Sequence, residues 1–185
     1  MSGYNFGSSI EETQKEYQKL ASSYNKECQL YCYIGPAKVA QRVADLFPKD
    51  VRDNVNILDV GAGTGLVAVE VRFMYYNALV QCVFDLINTN TYDVITGSGI
   101  YGEGAHVPHE ALYEMLRLVK LGGYIILAAR HELVKHNEIY KHLEPLMDKL
   151  ETNRKWKKVS RDVFPKYNLK TKKDGVIWCY QVLEK

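Results

Sequence analysis

Gly61, Gly63 and Gly65 stand at alternate positions immediately after the apolar run "NILDV" and just ahead of a stretch with helical spacing. Glycines at such a place allow a sharp turn and let a ligand approach the backbone closely. The helix start beyond offers unpaired N–H groups and a partial positive charge, a seat for a carboxylate or a phosphate. The spacing is not that of a Walker loop, since no Gly-Lys-Ser/Thr follows. Spacing alone would equally suit a nicotinamide dinucleotide. Such a site wants an acid about 20 positions past the glycines to hold ribose hydroxyls, and Asp85 lies at that distance from Gly65.

Other chemistries find less support. "HELVKH" sets His131 and His136 five apart, whereas the zinc motif His-Glu-x-x-His needs four. His106 and His109 lack an evident third ligand, so no metal is expected. No Gly-x-Ser-x-Gly elbow is present, which removes the common esterase reading. Cys28, Cys32, Cys82 and Cys179 form no paired zinc spacing and read as reduced structural thiols.

Elements must position the glycine turn. "VNILDV" is short, apolar and β-branched, the pattern of a buried parallel strand. Further strands are expected at "ALVQCVF", "YDVIT", "GGYIILAAR", "KWKKVSRDVF" and "GVIWCYQVL", the last of them antiparallel. Helical spacing marks "EETQKEYQKLASSYNKECQ", begun by a Ser9–Glu12 capping box, and "PAKVAQRVADLF", begun at Pro36. It recurs in "PHEALYEMLRLVK" and in "HNEIYKHLEPLMDKLE", which Pro145 should bend. "VAVEVRF" is ambiguous: Val67, Val69, Val71 and Phe73 alternate like a strand, while Leu66, Val69, Phe73 and Tyr76 fit a helix. Alternating strands and helices argue an α/β fold, a doubly wound and mostly parallel sheet.

With 185 residues, 46% hydrophobic and 25% charged, the chain is one globular domain: residues 1–50 helices over the site, residues 51–185 the sheet core. A net charge of +2 carries no polyanion signature, and the late basic runs "NRKWKKVSR" and "KTKKDG" read as a solvated face, so no nucleic acid is expected as partner. No stretch reaches the ~20 apolar residues of a membrane span, and the N-terminus lacks a signal-peptide pattern. A cytoplasmic setting follows as an expectation, with the nucleus also open to it.

"ILDVGAGTG" resembles motif I of the class I S-adenosylmethionine-dependent methyltransferases. Together with "YIGPAKVA", "YDVITGSGIYGEGAHVP", "EMLRLVKLGGYIIL" and "LEPLMDKLE…WKKVSR", it resembles the methyltransferase-like family of the Williams–Beuren deletion region, from about Tyr17 to the C-terminus. The resemblance implies a Rossmann-like fold and S-adenosyl-L-methionine as cofactor. It puts Gly61, Ala62, Gly63 and Gly65 around the methionine moiety, with Asp59 hydrogen-bonding the amino group. Gly97 and Ser98 would line the wall beside the reactive methyl, and Tyr24 would close the pocket from above. Leu121 stands where many members carry proline, though Gly122 and Gly123 still supply the turn.

One departure is larger. The chain has room for a single strand, "ALVQCVF", where the family has two, so about one strand–helix unit of roughly 30 residues is missing after motif I. Asp85 then has two identities: the ribose acid by count, or the adenine-side residue by resemblance to the family's third strand. For an acceptor that must lose a proton, the candidate bases are Glu103, His106, His109 and Glu110, with His106 best supported by the resemblance. Three functions stay open: methyl transfer to an unidentified small molecule or protein, a shortened non-catalytic variant that binds cofactor weakly or not at all, and an NAD-dependent oxidoreductase.

Overall fold

A computed structural model describes residues 23–74, 80–81, 88–102, 107–169 and 172–185, with the side chains of Met74, Val80 and Gln81 excepted. Helical residues 23–31 (α1) lead into α2 (Gly35–Leu46), then β1 (Ile57–Asp59), α3 (Leu66–Met74) and β2 (Val80–Gln81). There follow β3 (Tyr92–Ser98), α4 (Ala111–Leu118), β4 (Val119–Arg130), α5 (His131–His136), α6 (Leu143–Thr152), β5 (Trp156–Asn168) and β6 (Lys173–Val182). The Ser9–Glu12 cap, Cys82, Asp85, Glu103 and His106 lie outside the described residues.

Six strands form one mixed sheet in the order β2-β1-β3-β4-β6-β5. The ladders β2–β1, β1–β3 and β3–β4 are parallel, while β6 runs antiparallel to both β4 and β5. The period of two explains its two faces. Along β4, Ile125, Leu127 and Ala129 enter one core while Ile126 and Ala128 enter the other. Along β6, Val176, Trp178, Tyr180 and Val182 alternate in the same way with Ile177 and Cys179. Successive side chains point to opposite faces, and parallel strands covered on both sides are apolar throughout.

Helices cover both faces. On one, α4 supplies Leu112, Met115 and Leu116, and α6 supplies Leu143, Met147 and Leu150. On the other, Val39, Ala40 and Val43 of α2 meet Val67 and Val71 of α3. The ambiguous "VAVEVRF" is therefore helix: Val67 and Val71, four apart, share the buried face, whereas Val69 and Phe73 are exposed. Packing overrides the modest helix preference of valine. Because α2 packs beside it, α3 does not cover its flank alone.

The expected long helix over "HNEIYKHLEPLMDKLE" is two pieces, a 3₁₀ turn at Glu138–Tyr140 and then α6. Pro145 falls in the first turn of α6 rather than in a helix interior. It is the third residue of that helix, and the first helix bond runs from Leu146 N to His142 O. In the first turn N–H groups have no intrahelical acceptor, so a proline removes nothing there. The edge strand β5 is irregular: its register with β6 shifts between Phe164 and Asn168, around Pro165 and a Lys166 at φ 60°.

Candidate active site at the carboxyl ends of the strands

Ligands of open α/β sheets bind beyond the carboxyl ends of the strands. Here those ends present Asp59 on β1, Ser98 on β3 and Arg130 on β4. Gly61, Gly63 and Gly65 follow β1 with φ of 64°, 55° and 81°, a left-handed backbone that glycine adopts without penalty. The turn is pinned by Val60 N to Thr96 O at 2.8 Å and Gly65 N to Ala62 O at 2.8 Å, and α3 opens with Val69 N to Gly65 O at 2.9 Å.

The three glycines face different surroundings. A Cβ at Gly61 would come within 2.7 Å of Ile100 Cγ2, so that side of the turn is backed by a side chain. A Cβ at Gly63 would find nothing nearer than 3.9 Å, and one at Gly65 nothing nearer than 4.0 Å. The cradle is open at Gly63 and Gly65. Thr64 donates to Asn25 Oδ1 at 2.5 Å, which fastens α1 to the turn.

Asp59 is 2% exposed. Its Oδ1 accepts a hydrogen bond from Thr96 Oγ1 at 2.8 Å. Its buried Oδ2 has no hydrogen-bond partner among the described residues. Burial pushes its carboxyl up to about 7, against the lowering effect of the Thr96 bond. A buried acceptor left unpaired costs free energy unless a ligand satisfies it. A cationic donor such as an ammonium fits this atom by charge and by hydrogen bonding.

Other expected site residues are placed less openly. Gly97 is buried, and a Cβ there would meet Ile100 Cδ1 at 2.8 Å and Leu127 Cδ2 at 3.2 Å, so that side is lined by apolar side chains. Ser98 Oγ is engaged with Tyr33 OH at 2.7 Å, and Tyr33 OH with Tyr167 OH at 2.9 Å. Burial pushes the phenol of Tyr167 up to about 12 and that of Tyr33 well above the ordinary phenol range, so both hydroxyls stay protonated. Tyr24 on α1 hydrogen-bonds Cys28, whose thiol burial raises. Ala62 is half-buried within the turn. His109 Nε2 lies 3.2 Å from the carboxylate of its neighbour Glu110. Among the described residues, no three His, Cys, Asp or Glu side chains converge as a metal site.

Sequence reasoning missed Thr96, Ile100 and the Tyr33–Ser98–Tyr167 cluster. A signal for Thr96 existed. It is the hydroxyl in the buried run "YDVIT", and a buried polar group must find a partner; Asp59 is its register partner on β1. Nothing local marks Tyr33 and Tyr167, which are 134 residues apart.

The fold, with helices on both faces of the sheet and the glycine turn after the first strand, is similar to that of solved S-adenosylmethionine-dependent methyltransferases. No protein-family model and no curated protein matches the sequence. Among solved structures, the chain is similar to one from the Haloferax volcanii complex between the Trm112 methyltransferase activator and a protein named as a methyltransferase, at 16% identity over 92% of this chain and 97% of that one, TM-score 0.59. It is also similar to an S-adenosylmethionine-dependent methyltransferase of Thermotoga maritima, at 18% identity over 89% and 98%, TM-score 0.54. A TehB-like enzyme of the same dependence from Corynebacterium glutamicum matches at 11% identity over 89% and 99%, TM-score 0.54. At these identities the likeness is one of fold. No helix among the described residues is long and apolar enough to cross a membrane.

Proposed function

We propose that the chain binds S-adenosylmethionine at the carboxyl ends of β1 and β3 and directs its methyl group to a small-molecule or protein acceptor. The observation that carries this reading is the buried Oδ2 of Asp59, without a partner among the described residues, beside a left-handed glycine turn open at Gly63 and Gly65. The cofactor supplies an electrophilic methyl group on a sulfonium sulfur. Asp59 holds the amino group of its methionine end; Gly61, Ala62, Gly63 and Gly65 let that end approach the backbone, and the start of α3 faces its carboxylate. Gly97 and Ser98 are assigned to the wall near the methyl, Tyr24 to closing the pocket from above, and His106 to the acceptor side, as its base. In-line displacement depends chiefly on such positioning.

The finer family assignment, to the methyltransferase-like proteins of the Williams–Beuren region in a form shortened after motif I, belongs to the same proposal. Among the described residues one strand, β2, stands between α3 and β3, where the resemblance implies two, which supports the shortening. The direct pairing of β2 with β1 favours Asp85 as the ribose acid, since that acid follows the strand next to the first. The same shortening favours a second reading, a non-catalytic variant acting through a protein partner; the similar Haloferax chain comes from a complex with an activator.

Isothermal titration with S-adenosylmethionine, S-adenosylhomocysteine and NAD separates the readings. Micromolar binding of the first two is expected. Silence with both supports the non-catalytic variant, and heat with NAD alone would move the site to an oxidoreductase.

A further inference from the structure

We propose that the Thr96 hydroxyl is a positioning residue for the cofactor, holding Asp59 Oδ1 so that Oδ2 receives the donor's α-ammonium group in a step that releases a proton. The inference rests on the reading of the site given above and concerns how that site engages the charged end of its ligand.

Three observations carry it. Thr96 is fully buried, and its hydroxyl reaches Asp59 Oδ1 at 2.8 Å from the neighbouring strand, where the two residues are register partners. One carboxylate oxygen is thereby committed within the protein, and the other is buried with no partner among the described residues. Among the described residues no cation shifts the Asp59 carboxyl. β1 and the glycine turn bring no other ionisable side chain. On β3, Asp93 lies at the opposite end of the strand and pairs with Lys120. The first turn of α3 holds no acid, and Thr64 of the turn faces the uncharged Asn25. Thr96 is the one described side chain that shifts the Asp59 carboxyl.

A carboxyl in that setting holds a proton over part of the neutral range. An arriving ammonium can pair only with the ionised form. The exchange balances: the protonated carboxyl and the ammonium become a carboxylate–ammonium pair, and one proton leaves to solvent. Affinity for ligands bearing the α-ammonium therefore rises with pH up to about 7 and flattens above it. Ligands built from the same nucleoside without that group gain nothing.

The test uses the full chain and S-adenosylhomocysteine, which retains the ammonium, with 5′-methylthioadenosine, which lacks it, as control. Titration calorimetry at pH 6 in buffers of different ionisation enthalpy should count close to one proton released per S-adenosylhomocysteine and none for the control. Between pH 5.5 and 7, S-adenosylhomocysteine should tighten on the order of tenfold, the control far less. Thr96→Val should move the carboxyl titration of Asp59, followed by carbon NMR in the free protein, to higher pH and carry the affinity profile with it. Thr96→Ser, which keeps the hydroxyl and guards against a folding defect in the valine variant, should track the native protein. Binding of S-adenosylhomocysteine with no proton released and a flat pH profile overturns the inference and leaves the site assignment standing. No binding of either nucleoside at any pH overturns the site assignment itself.

Discussion

Asp59 sets the energetics of the site because it is held against its own solvation. Its carboxyl is raised from 3.8 to about 7, chiefly by burial. An unfolded chain loses this proton near pH 4 while the fold keeps it, so the unliganded fold loses stability as pH rises from about 4 to about 7 and gains none back above that. Asp59→Asn removes the charge without changing the shape. The variant should be more stable than the native protein at pH 8, by on the order of a few kcal/mol, and little different at pH 4, while binding S-adenosylhomocysteine more weakly. Thermal denaturation at the two pH values, beside calorimetry, checks it. The glycines divide similarly. Gly61→Ala drives a Cβ to within 2.7 Å of Ile100 at a φ of 64°, so it should cost several kcal/mol of stability. Gly63→Ala has open space and a φ of 55°, so it should cost only about 1–2 kcal/mol, and its main effect should be on cofactor affinity.

The elements that frame the site are tied together by side chains far apart in sequence. Tyr33, in the connector between α1 and α2, bridges to Asn168 at the end of β5, and Ile34 N donates to Tyr167 O at 3.2 Å. The hydroxyls of Tyr33, Ser98 and Tyr167 add a polar clasp over the end of β3. Tyr167→Phe should lower stability by about 1 kcal/mol, the net worth of one such bond, measurable by urea denaturation. Pro145→Ala should fall within about 0.5 kcal/mol of the native value, because the ring occupies a first-turn position. Most elements were legible from periodicity: "YDVIT" and "GGYIILAAR" lie within β3 and β4, and the helix expected from Pro36 is α2, though β4 takes Val119 and Lys120 from the expected helix before it. What escaped had a physical cause. Pro145 needed knowledge of the helix start one turn upstream, and the choice at "VAVEVRF" was made by α2, a neighbour that local spacing does not reveal. In the site, the glycine turn was readable because its backbone demands glycine; the partners Thr96 and Ile100 come from another strand and its following loop, and only the fold brings them in.

For the whole molecule, the proposed cofactor binding would make affinity and stability one equilibrium. S-Adenosylhomocysteine at about 100 times its dissociation constant should add about 2.7 kcal/mol, a rise of roughly 5–10 °C in the midpoint for a chain of this size. A scanning fluorimetry shift near zero at saturating ligand would count against the site. Among the described residues Cys28, Cys32 and Cys179 are free thiols, so reductant should leave that midpoint where it is. At the far rim of the sheet, no described strand pairs with the outer edge of β5, which Tyr33 meets only at Asn168. That edge is interrupted by Pro165 and by the left-handed Lys166, and it is flanked by Lys157, Lys158, Arg161 and Asp162. A proline offers no donor, and clustered charge repels a like strand laid beside it. The border thus discourages lateral accretion of copies, and concentrated solutions should resist fibre growth from that flank.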